Sequence, residues 1–255
     1  MIYNDISLTI SGGIARLILN RPSVLNALSP NLMAEWLDAL QKINVDKSVK
    51  VLIVRGEGRA WSAGVDLQAL NESIKGGQFA ADQILLDGCE VIRLMQSLDA
   101  VTIACVNGFC FTGATEMMLA FDLIYAANEA KIGDTHAKWG IAPKWGMTQR
   151  LPLRVGLLKA MELSFTCVPV SGQEAERIGL VNKSLPLADL DAFVDGVAAQ
   201  ICSNSAQTIA AMKALYYQGS YGTLSDGINI EYNADIQISD RAEFLKDFKE
   251  NKSKS

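Results

Sequence analysis

The sequence predicts an α/β fold of stacked strand–loop–helix turns, and three observations predict it. Short strands of buried type recur at Val51–Val54, Val101–Val106 and Asp122–Ala126. Segments with apolar side chains at helical spacing stand between and around them. The rhythm returns at intervals of roughly 50 residues, too irregular for a regular solenoid but suited to α/β turns laid one on another.

Taken in order, the chain opens with a hairpin. Ile6, Leu8 and Ile10 alternate with polar residues, Gly12-Gly13 turns the chain, and Ile14, Leu17 and Leu19 run back. Asn20-Arg21-Pro22 ends it. Ser29-Pro30 then supplies an N-cap with proline at the first helical position, and Leu32, Met33, Trp36, Leu37, Leu40 and Ile43 carry a helix to Val45. The strand Val51–Val54 closes in the turn-rich Arg55–Arg59, and a helix follows through Ile84, Leu85, Cys89, Ile92, Met95 and Leu98. Strand Val101–Val106 runs into a loop from Asn107 to Gly113, then a short helix, Ala114–Ala120, and the third strand. Beyond Val194 the chain turns helical and more polar, with helices expected over Ala206–Tyr217, Leu224–Ile238 and Ala242–Lys249. A soft boundary near 195–200 divides an α/β core, 1–197, from a C-terminal helical region, 198–255.

The 255 residues can bury a large core, and 49 % apolar with 20 % charged residues is an ordinary globular mixture. A net charge of -5 argues against nucleic acid as a principal partner. The basic end, Lys246–Ser255, reads as a solvated tail. The first ten residues have neither the basic start nor the apolar run of a secretory signal. No apolar stretch approaches the roughly 20 residues of a membrane span. A cytoplasmic protein, or the mature form of an imported one, is the expectation, with no membrane partner. The scattered cysteines (Cys89, Cys105, Cys110, Cys167, Cys202) form no CxxC pair, so neither a disulfide framework nor a zinc site is suggested. Cys105 and Cys110 read as inert core residues.

The single histidine, His136, excludes multi-histidine metal sites, and GxSxG, GxxxxGK[ST] and GxGxxG are all absent. Two glycine-bearing loops entering helices remain, Arg59–Asp66 and Asn107–Glu116. Helix starts leave backbone N–H groups without helical partners, and those donors can face a ligand oxygen. Two such loops side by side would supply the pair of donors that an oxyanion hole needs. Taken alone, loop glycines serve turns, and Glu116 alone reads as a first-turn carboxylate favoured by the helix dipole.

Five segments in order change that reading. Leu19-Asn-Arg-Pro-Ser-Val-Leu-Asn-Ala-Leu28 is similar to LNRP…NAL, and Trp61-Ser-Ala-Gly-Val-Asp-Leu67 to [FW]-S/A-A-G-x-D-[LI]. The run from Asn107 through Glu116 to Asp122 is similar to NGxxxGGGxELALxCD, and Ile141–Arg150 to GxxPGxGGTQRL. Ala175-Glu-Arg-Ile-Gly-Leu-Val-Asn182 matches A-x-x-x-G-L-V. With these motifs the chain resembles the enoyl-CoA hydratase/isomerase (crotonase) superfamily over about residues 3 to 190. The resemblance implies a ClpP/crotonase-like spiral of ββα turns with a C-terminal helical trimerisation region, assembled as a homotrimer or dimer of trimers. It implies an acyl-CoA thioester substrate, with coenzyme A part of that substrate and no separate cofactor or metal. By position, Ala63 and Gly113 would donate the oxyanion N–H groups, and Glu116 would be the catalytic acid/base. Ala27, Leu28, Ala60, Gly64, Val65 and Asp66 would lie along the coenzyme A and substrate path, mostly through backbone.

One departure bears on the reaction. Hydratases of this family carry a second glutamate about twenty residues after the first; the stretch Gly133–Gly140 puts His136 there instead, within a Asp134-Thr-His-Ala137 run. His136 is either a satisfied structural residue or the second catalytic group, since an imidazole near its ordinary pKa can hold water or trade a proton. Asp134 is the nearest alternative carboxylate, but it stands two residues off the aligned position and is expected to be differently directed. A Glu116/His136 pair suits an enoyl-CoA hydratase; Glu116 alone suits a double-bond isomerase; an acyl-CoA-binding homologue without turnover is the third reading. Smaller departures are Phe111-Thr112 before Gly113 and Thr166-Cys167 for the usual Thr-Gly. Trp61, Trp139 and Trp145 flank the motifs, as acyl-pocket walls or as core.

Overall fold

The glycine pair turns the first hairpin as its sequence predicts: β1 (Ile6–Ser11) and β2 (Ile14–Leu19) pair antiparallel around Gly12 and Gly13, both at positive φ. The computed structural model describes residues 3–69, 71, 78–220, 222–242 and 244–246, with backbone alone for 78–82. From β2 the chain crosses through α1 (Pro30–Val45) to β3 (Val51–Gly56), which pairs parallel with β2. Parallel additions of β5 (Val101–Val106), β7 (Leu123–Ala127) and β10 (Lys183–Leu185) complete a six-stranded sheet ordered β1-β2-β3-β5-β7-β10. Its inner strands are buried on both faces, which is why Val51–Val54 and Val101–Val106 read as runs rather than alternations.

Helix α1 begins where Ser29 Oγ accepts the Leu32 N–H at 3.1 Å, with Pro30 preset for the first turn. Its apolar stripe, Leu32, Met33, Trp36, Leu40 and Ile43, is buried against the core. Glu35, also buried, spends its carboxylate on the N–H groups of Asn4, Asp5 and Ile6, tying the helix to the start of β1.

A second sheet lies where the sequence suggested only loops. β4 (Ala60–Ser62), β6 (Phe109–Phe111) and β8 (Lys131–Gly133) are parallel neighbours, and β9 (Val170–Ser171) joins antiparallel. Each is only two or three residues long, too short to show an alternation. Each of β3, β5 and β7 is followed by its short partner, β4, β6 or β8, and then by a helix. Those helices are α2 (Gln78–Ser97), α3 (Gly113–Met118) and α4 (His136–Trp139). The repeating unit is therefore ββα. Trp36, Trp61 and Phe121 fill the interior edge to face, with ring centroids 6.4 and 5.9 Å apart. Trp61 Nε1 donates to Val54 O at 3.1 Å, so this tryptophan is core rather than pocket wall.

The rest is helical: α5 (Met147–Val155), α6 (Leu157–Thr166), α7 (Gly172–Arg177), α8 (Leu187–Cys202), α9 (Ala206–Gly219) and α10 (Leu224–Asn233). Helix α8 runs across residues 197 and 198 and buries Leu190, Val194 and Ala198. Helix α10 stops short of the expected Ile238; of the helix expected over 242–249, residues 242 and 244–246 are described and helical, while its other residues and the tail from 247 on lie outside the described residues. Lys213 on α9 reaches Asp122 Oδ2 and Ala100 O, each at 2.9 Å, pinning this region to the sheet. The architecture is α/β, a core of ββα turns with a C-terminal helical region. Among the described residues no helix is long and apolar enough to cross a membrane.

Candidate active site

Strands β4, β6 and β8 run parallel, Ala60 beside Phe109 and Phe109 beside Lys131 with a register shift between Ala60 and Ser62, so the segments leaving them emerge on one side. Ala63 follows β4 directly, Gly113 and Glu116 follow β6, and Asp134 and His136 follow β8. Ala63 thus meets residues 50 or more positions further along the chain because three short strands share a direction. Ala63, Val65, Gly113, Glu116 and His136 line one cavity of about 60 Å³, walled by Leu67, Leu85, Trp139, Ile141 and Trp145.

Thr115 Oγ1 donates at 3.0 Å to both Cys110 O and Gly133 O, which joins the strand ends carrying Glu116 and His136. Thr112 sits at φ 54, an uncommon value for a β-branched residue, and opens α3. Its N–H donates to Gly133 O at 3.0 Å and its hydroxyl bonds Thr135. That geometry leaves Gly113 as the first helical residue, its N–H without a helical partner. The two loops pack tightly: a Cβ on Gly64 would meet Phe111 O at 2.7 Å and Gly113 N at 3.4 Å. Ala63 differs from Gly113. Its N–H donates to Leu25 O at 2.9 Å, so an oxyanion would have to share or displace that bond.

Glu116 is 2 % exposed. Its Oε1 accepts from the backbone N–H groups of Trp145 at 2.8 Å and Met147 at 3.0 Å, at the start of α5. Its Oε2 remains and lies 3.3 Å from His136 Nε2. The other ring nitrogen, Nδ1, is 2.6 Å from Asp134 Oδ1, which also accepts the His136 backbone N–H at 3.1 Å. Burial works against the imidazolium, but hydrogen bonds to Asp134 and Glu116 outweigh it, and the His136 pKa is raised to about 9. Burial likewise opposes the Asp134 charge, yet hydrogen bonds from His136 and Ser164 hold its carboxyl below the ordinary range.

Of the other residues named from the sequence, Val65 lines the cavity, whereas Ala27, Leu28 and Ala60 are buried in the seam beside it. Leu28 bridges Val65 in parallel, with Leu28 N donating to Gly64 O at 2.8 Å. Asp66 pairs with Arg21 Nη1 at 3.0 Å and caps the N–H groups of Gln68 and Ala69. Trp139 and Trp145 are cavity walls. Asp134 is directed differently from a cavity-facing second carboxylate, as its position two residues off the aligned site suggests: it meets His136 Nδ1 from behind. The sequence reading missed Arg150, whose Nη1 donates to Trp145 O at 2.6 Å and steadies the turn that holds Glu116.

The family model described as enoyl-CoA hydratase/isomerase matches residues 9–254. The chain is 33% identical over 237 residues to the crotonyl-CoA hydratase of Syntrophomonas wolfei, covering 92% of this chain and 89% of that protein. It is 35% identical over 190 residues to the hydroxycinnamoyl-CoA hydratase-lyase of Pseudomonas fluorescens, covering 74% and 69% respectively. Its structure is similar to that of an enoyl-CoA hydratase from Bacillus anthracis, with a TM-score of 0.90, 31% identity and 97% of each chain covered. With a family match over almost its whole length and relatives of this similarity, the chain belongs to the enoyl-CoA hydratase/isomerase family.

Proposed function

We propose that the chain is an enoyl-CoA hydratase, adding water across the 2,3 double bond of an enoyl-CoA thioester with Glu116 and His136 as its acid/base pair. The observation that carries this reading is the meeting of Glu116 Oε2 and His136 Nε2 at 3.3 Å in the cavity that Gly113 also lines. Two proton-handling groups side by side can take a proton from water and deliver one to carbon. The thioester oxygen gains negative charge as the enolate forms, and the Gly113 N–H, which starts α3 without a helical partner, would stabilise it. Each such donor is worth on the order of 3 kcal/mol. Ala63 would be the second donor on releasing or sharing Leu25 O. The coenzyme A part would run past Ala27, Leu28, Ala60, Gly64, Val65 and Asp66, where backbone rather than side chains would meet it. The names of the relatives, a crotonyl-CoA hydratase among them, support the same reaction class.

A double-bond isomerase is the second reading, favoured by one observation: Glu116 is the only carboxylate lining the cavity among the described residues. For assembly the reading is a homotrimer or dimer of trimers built through the C-terminal helices, where Tyr216, Leu224, Ile228 and Tyr232 are exposed. The test is purified protein with crotonyl-CoA and with a 3-enoyl-CoA, as wild type, Glu116→Gln and His136→Ala. Hydration lost in both variants supports the pair. Isomerisation that survives His136→Ala but not Glu116→Gln supports the one-base reading. Binding of the thioester without any turnover in wild type would overturn both.

A further inference from the structure

We infer that Asp134 is a positioning residue that holds His136 as an imidazolium, so that His136 is the proton donor to the substrate α carbon and Glu116 the base. The inference rests on the hydratase reading for its substrate and on geometry for the rest. His136 lies between two carboxylates, with Nδ1 2.6 Å from Asp134 Oδ1 and Nε2 3.3 Å from Glu116 Oε2. An ionised carboxylate only accepts hydrogen bonds, so the ring satisfies both neighbours when both of its nitrogens carry hydrogen. Asp134 does not line the cavity and acts through His136. Its Oδ1 also takes the His136 backbone N–H, which fixes the ring and the main chain from a single atom.

The charged groups around His136 leave this reading intact. Asp134 comes from the end of β8 and Glu116 from α3, while Ser164 on α6 bonds Asp134 from the other side. Lys138, on the same short helix, is exposed, and Lys144 is an exposed cation at the cavity wall. The raised pKa of about 9 agrees with the geometry.

The step then balances without a further reactant. Water oxygen bonds the β carbon, and Glu116 Oε2 takes one water proton. The double-bond pair moves into the thioester as an enolate, then returns to form the C–H bond at the α carbon with the Nε2 proton of His136. The proton on Glu116 passes to Nε2 across the 3.3 Å contact, and both groups return to their starting states.

The chain has one histidine, so the imidazole ¹⁵N spectrum of the untagged full chain reads His136 alone. In wild type the imidazolium should persist to about pH 9, and Asp134→Asn should lower the midpoint by about 1–3 pH units. With crotonyl-CoA, Asp134→Asn should lower kcat by about 10–100-fold. KM should stay within about twofold and the alkaline limb should move down with the midpoint. Asp134→Glu should restore part of the loss. A wild-type midpoint near the free-imidazole value overturns the inference even if Asp134→Asn does not fold. So does an Asp134→Asn midpoint that stays in place. If wild type does not hydrate crotonyl-CoA, the substrate reading fails, while the titration still decides the role of Asp134.

Discussion

The backbone N–H of Trp145 donates to Glu116 Oε1 at 2.8 Å, so the first turn of α5 fixes the carboxylate that α3 presents. Met147 N–H adds a second bond at 3.0 Å to the same oxygen. Glutamine keeps an oxygen for both donors, and Glu116→Gln should fold normally. It removes the proposed base at the other oxygen and should lower hydration by about 10²–10⁴-fold. Steady-state rates and a thioester-binding titration check this; a variant with full activity would contradict it.

The seam between the two glycine loops is intolerant. Gly64 lies at φ 94, and a Cβ there would press against Phe111 O, a backbone atom that cannot move aside alone. Gly64→Ala should displace Gly113 and lower kcat/KM by about 10²-fold or more. Gly12 also has positive φ, but a Cβ there meets nothing within 4 Å. Gly12→Ala should cost only about 1 kcal/mol of stability, with activity kept. Equal effects of the two substitutions on turnover would refute the argument.

Stability should depend on pH through His136. Its folded-state pKa, raised to about 9, stands above the ordinary imidazole value. Its contribution is therefore complete below about pH 6.5 and disappears as pH rises through about 9. Asp134 is depressed, so its contribution is complete above the ordinary carboxylate range and is lost as pH falls through its lowered value. Urea unfolding across alkaline pH should show wild type losing its advantage over His136→Gln. Parallel stability curves for the two proteins would count against the ion pairing.

Lys213 is an equally buried cation with a purely structural set of partners. Burial lowers its pKa while Asp122 opposes that shift. Asp122 also accepts from Tyr217 Oη at 2.8 Å and Thr102 N at 2.7 Å. Lys213→Met leaves that carboxylate without its counter-charge and should destabilise the fold by about 3–5 kcal/mol. Chemical denaturation checks this, and a loss under about 1 kcal/mol would contradict it.

Five strands of the large sheet and the long helices α1 and α2 were legible because each has a long signal, whereas β10, three residues long, was not. Ile6–Leu19 carries alternation around Gly12-Gly13, and Ser29-Pro30 marks the start of α1 before a helical stripe ending at Val45. The second sheet was not legible, since Ala60–Ser62, Phe109–Phe111 and Lys131–Gly133 pair through register with distant segments. Those strands assemble the site. Glu116, Gly113, Ala63 and His136 could be named from motifs, and the cavity does gather them. The bond from Ala63 N–H to Leu25 O could not be read, because it depends on Leu25 and Asn26 adopting positive φ values of 55 and 54. The orientation of Asp134 is equally a matter of backbone direction after β8. A carboxylate two residues from a histidine in sequence can point anywhere until that turn is fixed.

The central claim is that Glu116 and His136 together hydrate an enoyl-CoA. Its most direct test is the rate at which purified protein converts crotonyl-CoA to the 3-hydroxyacyl thioester, compared among wild type, Glu116→Gln and His136→Ala. The account predicts turnover in wild type and a loss of about 10²–10⁴-fold in each variant. Hydration by His136→Ala at the wild-type rate, or none by wild type, would contradict it.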